Sequence, residues 1–521
     1  MMPESGSRRS LLARILAPGG DQRTALCAGG RTVSYRQLRS DVQSVREQLA
    51  GNGIGQGDRV AVCLPKTVST VETILGILAT KAAYVPLNHR LSEAHLLRIL
   101  ADLQPHLVIA TGALAAVLRK AAGDAEPPFD FRLAVLADEG SIALEFLDPL
   151  GAARVSAPSS PPDLAVILYT SGTTGEPKGI MLTHANVASF VDWAADTFVI
   201  SSSDRLANHA PLHFDLSIFD IFCGLTRHAS VHLIDETIIG FPGAIRWLIG
   251  DAGITVWYSV PTALVRLQER AALKDLPSLR LILFAGEVFP VPSLRRLMAD
   301  VPAPDVNLYG PTETNVATYF RLPGPPVSDF EQVPTGWPCE HLDVRLLDPA
   351  GAAVQAGEIG EICVAGGAVM AGYWGRPEAT QAARLQGRPD SYRTGDHAYV
   401  RGDGALMFVG GAISRSRSAI IASSSSHLRP RSTDIRRSAK RPRCLSRSLG
   451  AAAFLPRSWC RGAPDWTRRR SAPFSRNGCR RNISRIISNG CLNYRRPRMA
   501  NATAPACCRP CGSQSKLEEH R

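Results

Sequence analysis

Along residues 1–410, short apolar runs alternate with longer segments whose apolar positions recur at helical spacing. Arg59-Val-Ala-Val-Cys63 reads as a buried strand, and residues 67–80 as the helix that follows it. Residues 107–110, 133–136, 164–169, 255–260 and 281–284 repeat the strand pattern, and residues 158–162 form a Ser/Pro-rich connection. From about Pro334 the pattern turns β-rich, with strands expected at 343–347, 360–365 and 405–409. This alternation predicts an α/β fold of layered architecture, one large domain over residues 1–410 with a smaller, barrel-like β-rich subdomain at 334–410. No internal repeat of 20–50 residues is evident. After Gly410 the periodicity stops, and residues 411–521 are expected to be a disordered tail.

Charge sharpens that break. Residues 411–521 hold 25 Lys and Arg against 4 Asp and Glu, which leaves 34 against 42 for residues 1–410. A chain with net charge +13 would suggest a nucleic acid or membrane partner, yet the basic character belongs to the tail alone. Residues 1–14 lack the apolar core and cleavage site of a signal peptide, and runs such as 71–78 are too short to span a bilayer. Cys27, Cys63, Cys223, Cys339 and Cys363 are scattered without paired spacing, which fits reduced thiols in a cytoplasmic compartment. In the tail, Cys507, Cys508 and Cys511 imitate a metal knuckle, but no second pair or His cluster completes four ligands.

The densest chemical signal is Tyr169-Thr-Ser-Gly-Thr-Thr-Gly-Glu-Pro-Lys-Gly179, directly after a strand. Its glycines allow close backbone approach, its hydroxyls and amides can surround phosphate oxygens, and Lys178 adds charge. A flexible Ser/Gly hairpin is the plainer alternative. The string is not a Walker motif, because it lacks GxxxxGK[ST]. Three glycines, a run of hydroxyls and a Pro-Lys-Gly ending together favour phosphate.

That string closely resembles the phosphate loop of the adenylate-forming superfamily, and the resemblance extends over nearly all of residues 20–410. It implies nucleotide contacts from Thr170, Ser171, Gly172, Thr173, Thr174, Gly175 and Lys178. Asn307-Leu-Tyr-Gly-Pro-Thr-Glu313 resembles the second signature. By that match Tyr309 stacks on adenine, Thr312 contacts the α-phosphate, and Glu313 holds Mg²⁺ beside ATP. Tyr392-Arg-Thr-Gly-Asp396 resembles the third, whose Asp accepts hydrogen bonds from the ribose hydroxyls. Gly357-Glu-Ile-Gly-Glu361 and Gly372-Tyr-Trp374 are similar to framework motifs with packing and turn roles. The implied reaction is attack of a carboxylate on the ATP α-phosphate.

His213-Phe-Asp-Leu-Ser-Ile-Phe219 resembles the amino-acid-activating version of the family, in which Asp215 pairs with the substrate ammonium. A helix-capping Asp near Ser217 is the alternative. The flanking motifs bring Leu216, Phe219, Tyr258, Leu283, Ala285, Leu308, Val316 and Ala317 into the implied pocket, apolar apart from Asp215 and the Tyr258 hydroxyl. It suits a compact apolar amino acid and looks like the pocket of free-standing prolyl-carrier-protein ligases, as do Phe284-Ala-Gly-Glu-Val-Phe289 and Thr312-Glu-Thr-Asn-Val316. Gly286 of the first string joins the nucleotide-binding set. Ala317 stands where that group often has Cys. The implied partner is a phosphopantetheinylated carrier protein. An acyl-CoA synthetase is the enzyme alternative, and a non-catalytic remnant the other.

Family members continue into a hinge and a mobile C-terminal domain that delivers a lysine. Phe408-Val-Gly410 arrives on schedule, but the residues after it do not resemble the hinge. Residues 410–418 can be back-translated as GGG GGC GCG ATC AGC AGA TCA AGA TCC, and that string read two bases later encodes GRDQQIKI, much like the hinge. The same displaced frame permits HPAVGEAAAVPVAL over residues 434–448 and WLPEKYLP around 477–485. Over 493–505 it permits LPTPANGKCDRA, similar to the lysine-bearing segment. Several matches in one frame, in family order, point to a single-base deletion or two-base insertion near the Gly410–Gly411 codons. As translated, neither Lys440 nor Lys516 lies in a matching motif. A basic nucleic-acid-binding tail is the remaining reading, and the displaced frame accounts for its arginines better. Neither a nucleic acid nor a membrane partner is expected.

Overall fold

Strand Arg59–Cys63 is buried at every position, and its residues divide between two cores in strict alternation. Val60 and Val62 join the large central cluster, while Ala61 and Cys63 face a second one. Strand Leu281–Ala285 does the same, sending Leu281, Leu283 and Ala285 to the central cluster and Ile282 and Phe284 to a third. Apart from Arg59 these strands are apolar throughout, because successive side chains point to opposite, covered sides of the sheet. The computed structural model describes residues 10–123, 131–136, 142–147, 160–161, 163–171, 176–328 and 332–411. The expectations for Gly172–Gly175 and for the tail fall outside these residues.

Two large sheets carry this pattern. One runs, by residue range, 372–373, 177–183, 164–171, 83–86, 59–63, 107–110, 132–136 and 144–146; its inner strands are parallel. The other runs 337–338, 318–321, 305–309, 281–285, 256–259, 205–208, 230–233, 24–28 and 31–34, with parallel pairing from 305–309 through to 24–28. Helix Val68–Ala79 touches strands of both sheets, and its residues Val68–Leu78 are all buried. Thr67 caps it, Oγ1 accepting from the Thr70 amide at 3.2 Å. Helices such as Glu93–Leu103 and Val291–Asp300 cover the outer faces through the second and third clusters.

The β-rich stretch is an open antiparallel sheet in the order 342–347, 360–366, 391–400, 406–411, not a closed barrel. Its four strands are too few to close on themselves. Among the described residues no helix is long and apolar enough to cross a membrane. Cys27, Cys63, Cys223, Cys339 and Cys363 are all free thiols.

Asp305 opens strand Asp305–Tyr309 with no exposed surface, and neither carboxylate oxygen has a hydrogen-bond partner. Burial pushes its carboxyl up to about 7. The unfolded chain ionises near 4 while the folded one keeps the proton, so stability falls as pH rises from about 4 to about 7. Asp305→Asn is expected to remove up to about 4 kcal/mol of that decline. Urea midpoints measured between pH 4 and 8 check it: parallel profiles for the variant and the parent would contradict this origin.

Candidate active site

The Gly-rich string starts on one arm of a β-hairpin and ends on the other. Strand Leu164–Ser171 pairs antiparallel with Pro177–Thr183, placing Thr170 opposite Lys178 and Ser171 opposite Pro177. The base of the hairpin is clamped from outside. Asp102 accepts from the Tyr169 hydroxyl at 2.7 Å and from Arg376 at 2.7 Å, and its carbonyl takes the Trp374 indole N–H at 3.0 Å. The Arg59 guanidinium lies 4.4 Å over the Trp374 ring. A Cβ on Gly179 would stand 2.9 Å from Ile167 Cγ2 and 3.1 Å from Trp374 Cβ, so only glycine lets these elements meet. The Gly372-Tyr-Trp374 string therefore has its expected packing role, and it braces the phosphate hairpin besides.

The second and third strings converge. The Tyr309 hydroxyl donates to Asp396 Oδ2 at 2.8 Å, and the Tyr309 ring lies 6.1 Å from Phe408. Gly310 makes the turn after Tyr309 possible, since a Cβ there would stand 1.8 Å from the Asn315 carbonyl. Glu361 holds the other turn: Oε1 accepts from the Gly395 amide at 3.0 Å, and Oε2 takes the Arg393 guanidinium. Asp396 is wholly buried and pairs in register with Gly411. Gly286 follows the strand Leu281–Ala285 directly, with φ +91°.

Asp215 and Thr312 meet. The Thr312 hydroxyl donates to Asp215 Oδ2 at 2.7 Å, and both residues are buried. Asp215 sits at the N-cap position of the short helix Leu216–Ile218, yet its side chain makes no capping bond. The Ser217 hydroxyl turns back instead, to the carbonyls of Leu212 and Phe214. The capping alternative for Asp215 therefore fails on geometry.

Beside Thr312, Glu313 Oε1 accepts from the Tyr373 hydroxyl at 2.9 Å, and Tyr373 touches the Tyr392 hydroxyl at 3.2 Å. Burial, then the Glu313 charge, keeps both phenols protonated far above their usual range. Lys178 Nζ lies 5.5 Å over the Tyr373 ring, which brings the phosphate hairpin and Glu313 to one aromatic side chain. Among the described residues no group of three or more His, Cys, Asp or Glu could cage a metal. One carboxylate with hydroxyl neighbours suits a hard cation that takes its other ligands from phosphate and water, which is the habit of Mg²⁺.

The residues expected to line the pocket lie together in the central core. Leu216, Phe219, Tyr258, Leu283, Ala285, Leu308, Val316 and Ala317 are all buried and all belong to the central cluster. Tyr258 neighbours Leu283 across adjacent strands, and Ala285 neighbours Leu308. The Phe219 and Tyr258 rings meet edge to face at 5.5 Å. Phe219 opens a π-helical turn, Phe219–Cys223, an irregularity with no sequence pattern of its own that is frequent at functional sites. Sequence reasoning missed the second-tier residues Tyr373, Tyr392, Glu361, Asp102 and Arg376. Tyr373 and Glu361 lie in strings taken as framework, and Tyr392 opens the third signature, where Asp396 alone was given a role.

The profile of the family described as AMP-binding enzyme matches residues 17–374. An L-proline--[L-prolyl-carrier protein] ligase of Pseudomonas fluorescens is 37% identical over 395 residues, 75% of this chain and 76% of that protein. Its counterpart in Streptomyces coelicolor is 38% identical over 399 residues, 73% of this chain and 74% of that one. The fold is similar to the crystal structure of CmiS6, with a TM-score of 0.68 and 27% identity over 78% of this chain and all of the other. It is also similar to a four-domain nonribosomal peptide synthetase bound to AMP and glycine, with a TM-score of 0.64 and 26% identity over 77% of this chain and 28% of the other.

Proposed function

This chain belongs to the AMP-binding enzyme family of AMP-forming ligases, and from that premise we propose that it activates a small amino acid, L-proline foremost, as the aminoacyl adenylate. The acceptor that follows is the phosphopantetheine thiol of a carrier protein. In the first step a substrate carboxylate oxygen bonds to the α-phosphorus of ATP, and the bond from that phosphorus to the bridging oxygen breaks, releasing pyrophosphate. Such a displacement depends on positioning and charge stabilisation. Asp215 binds the ammonium, and its bond to Thr312 sets the distance between the amino acid and the α-phosphate. Tyr309 and Asp396 take adenine and ribose, with Gly286 beside them. The hairpin residues Thr170–Gly175 and Lys178 take the phosphates. Glu313, oriented by Tyr373, would hold Mg²⁺, which supplies charge neutralisation to the departing pyrophosphate.

The observation that carries this reading is one buried carboxylate, Asp215, among side chains that are apolar apart from the Thr312 and Tyr258 hydroxyls. A carboxylate placed there can accept charge-assisted hydrogen bonds from a cationic group on the ligand. Titrating the common amino acids into the full chain with a non-hydrolysable ATP analogue tests it. L-proline is expected to bind best, and a panel in which no amino acid binds would overturn the reading.

Residues 1–410 are the adenylation body, with the β-rich subdomain at 334–410. Residues 411–521 are an out-of-frame replacement of the C-terminal domain, which leaves the chain impaired in adenylate formation and carrier loading. The free thiols of the body fit a cytoplasmic setting.

A further inference from the structure

Lys66 follows strand Arg59–Cys63 of the eight-stranded sheet and is almost wholly buried. Its ammonium donates to three consecutive carbonyls: Asn208 at 3.0 Å, His209 at 2.9 Å and Ala210 at 3.2 Å. Asn208 ends a strand of the other large sheet and His209 and Ala210 follow it directly, so one side chain ties the two sheets together. Asn208 then donates from Nδ2 to Asp220 Oδ2 at 3.0 Å, and both are fully buried. Asp220 lies in the π-helical turn, next to Phe219. The segment between these anchors, residues 211–219, carries Asp215, Leu216 and Phe219. None of Lys66, Asn208 and Asp220 is needed by the chemistry described above.

We propose that Lys66 is a positioning residue for the amino-acid pocket: by holding the turn at 208–210 directly, and Asp220 through Asn208, it fixes where Asp215 and Phe219 stand. The inference rests on the amino-acid-activating reading. Three donors for three carbonyls require the protonated ammonium, because a neutral amine keeps only two. Burial brings Lys66 down to about 8, against the opposing pull of Asp220, Glu236 and Asp235. The other titratable groups facing it are His209, His213 and His89, each lowered by burial and so neutral at pH 7 and above. His213, His89 and Glu236 line a small cavity together with Lys66. Burial also holds the Asp220 carboxyl well above its usual range, so Lys66 and Asp220 are the two groups at this junction that can change charge above pH 7, and Lys66→Arg separates them.

The test uses the full chain with Lys66→Met and Lys66→Arg, the probes being L-proline (or the amino acid that ranks first in the panel) and a non-hydrolysable ATP analogue. Lys66→Met is expected to weaken amino-acid binding about tenfold or more while the ATP analogue binds within about twofold of the parent. In the parent, amino-acid affinity is expected to fall between pH 7 and pH 9, and Lys66→Arg to flatten that profile because a guanidinium keeps its charge. Equal losses for both ligands in Lys66→Met would reduce Lys66 to a structural role and overturn the proposal. So would a parent profile that is flat over the same range, a result that stands even if Lys66→Met does not fold. A parent that binds no amino acid contradicts the functional reading itself; one that binds it without regard to Lys66 or pH contradicts only this inference.

Discussion

Asp215→Ala is expected to weaken amino-acid binding by about 2–5 kcal/mol, roughly 30-fold to several thousand-fold. The size follows from the surroundings. Asp215 is 6% exposed, and the pocket side chains around it are apolar apart from the Thr312 and Tyr258 hydroxyls. Without the carboxylate, a bound ammonium would lose its water and gain no countercharge. A carboxylic acid of similar shape without the amine, such as cyclopentanecarboxylate, reverses the expectation. It leaves Asp215 buried against an apolar ring in the parent, so Asp215→Ala should bind it as well or better. Calorimetry on both ligands in both proteins gives the coupling directly. Equal effects of the substitution on the two ligands would contradict the ammonium role and favour an enzyme that activates simple acyl acids.

Much of this site was legible because its chemistry is written in short strings. The phosphate hairpin, Tyr309–Glu313 and Asp396 each lie within a few consecutive residues, and the fold only had to bring them together. The strands were legible for a different reason: covered on both faces, residues 60–63 and Leu281–Ala285 read as unbroken apolar runs. Pairing order was not. Thr24–Ala28 lies beside Ser230–Leu233, and nothing local to either segment encodes a partner some two hundred residues away. The short strands Arg205–Asn208 and Ser230–Leu233 contain charged or polar residues and gave no clear run. Lys66 shows the same limit for a single side chain. In sequence it is one more lysine before a helix, whereas its three carbonyl partners come from the opposite sheet. Tyr373 was quoted within a framework string, and its hydroxyl proved to reach Glu313.

The second large effect concerns the tail. The body ends its last strand at Gly411, where the hinge of a complete family member would follow. Insertion of one base near the Gly410–Gly411 codons should restore GRDQQIKI and the lysine-bearing segment LPTPANGKCDRA. A lysine brought to the α-phosphate acts as a preorganised donor to charge that develops in the transition state. Losing one such donor costs about 10²–10³ in rate. The restored chain is therefore expected to form adenylate at least about a hundredfold faster than the chain as translated, with similar affinity for ATP. Equal rates in the two chains would contradict the impairment. A coding DNA that cannot carry these strings in the displaced frame would remove its cause.

Amino-acid-dependent exchange of pyrophosphate into ATP reports reversible adenylate formation without requiring the carrier protein. It is best run on the frame-restored chain with each common amino acid and a set of amine-free carboxylic acids. The proposal predicts exchange driven by amino acids, L-proline fastest, and none above background with the amine-free acids. Exchange driven by amine-free acids, with every amino acid at background, would contradict it.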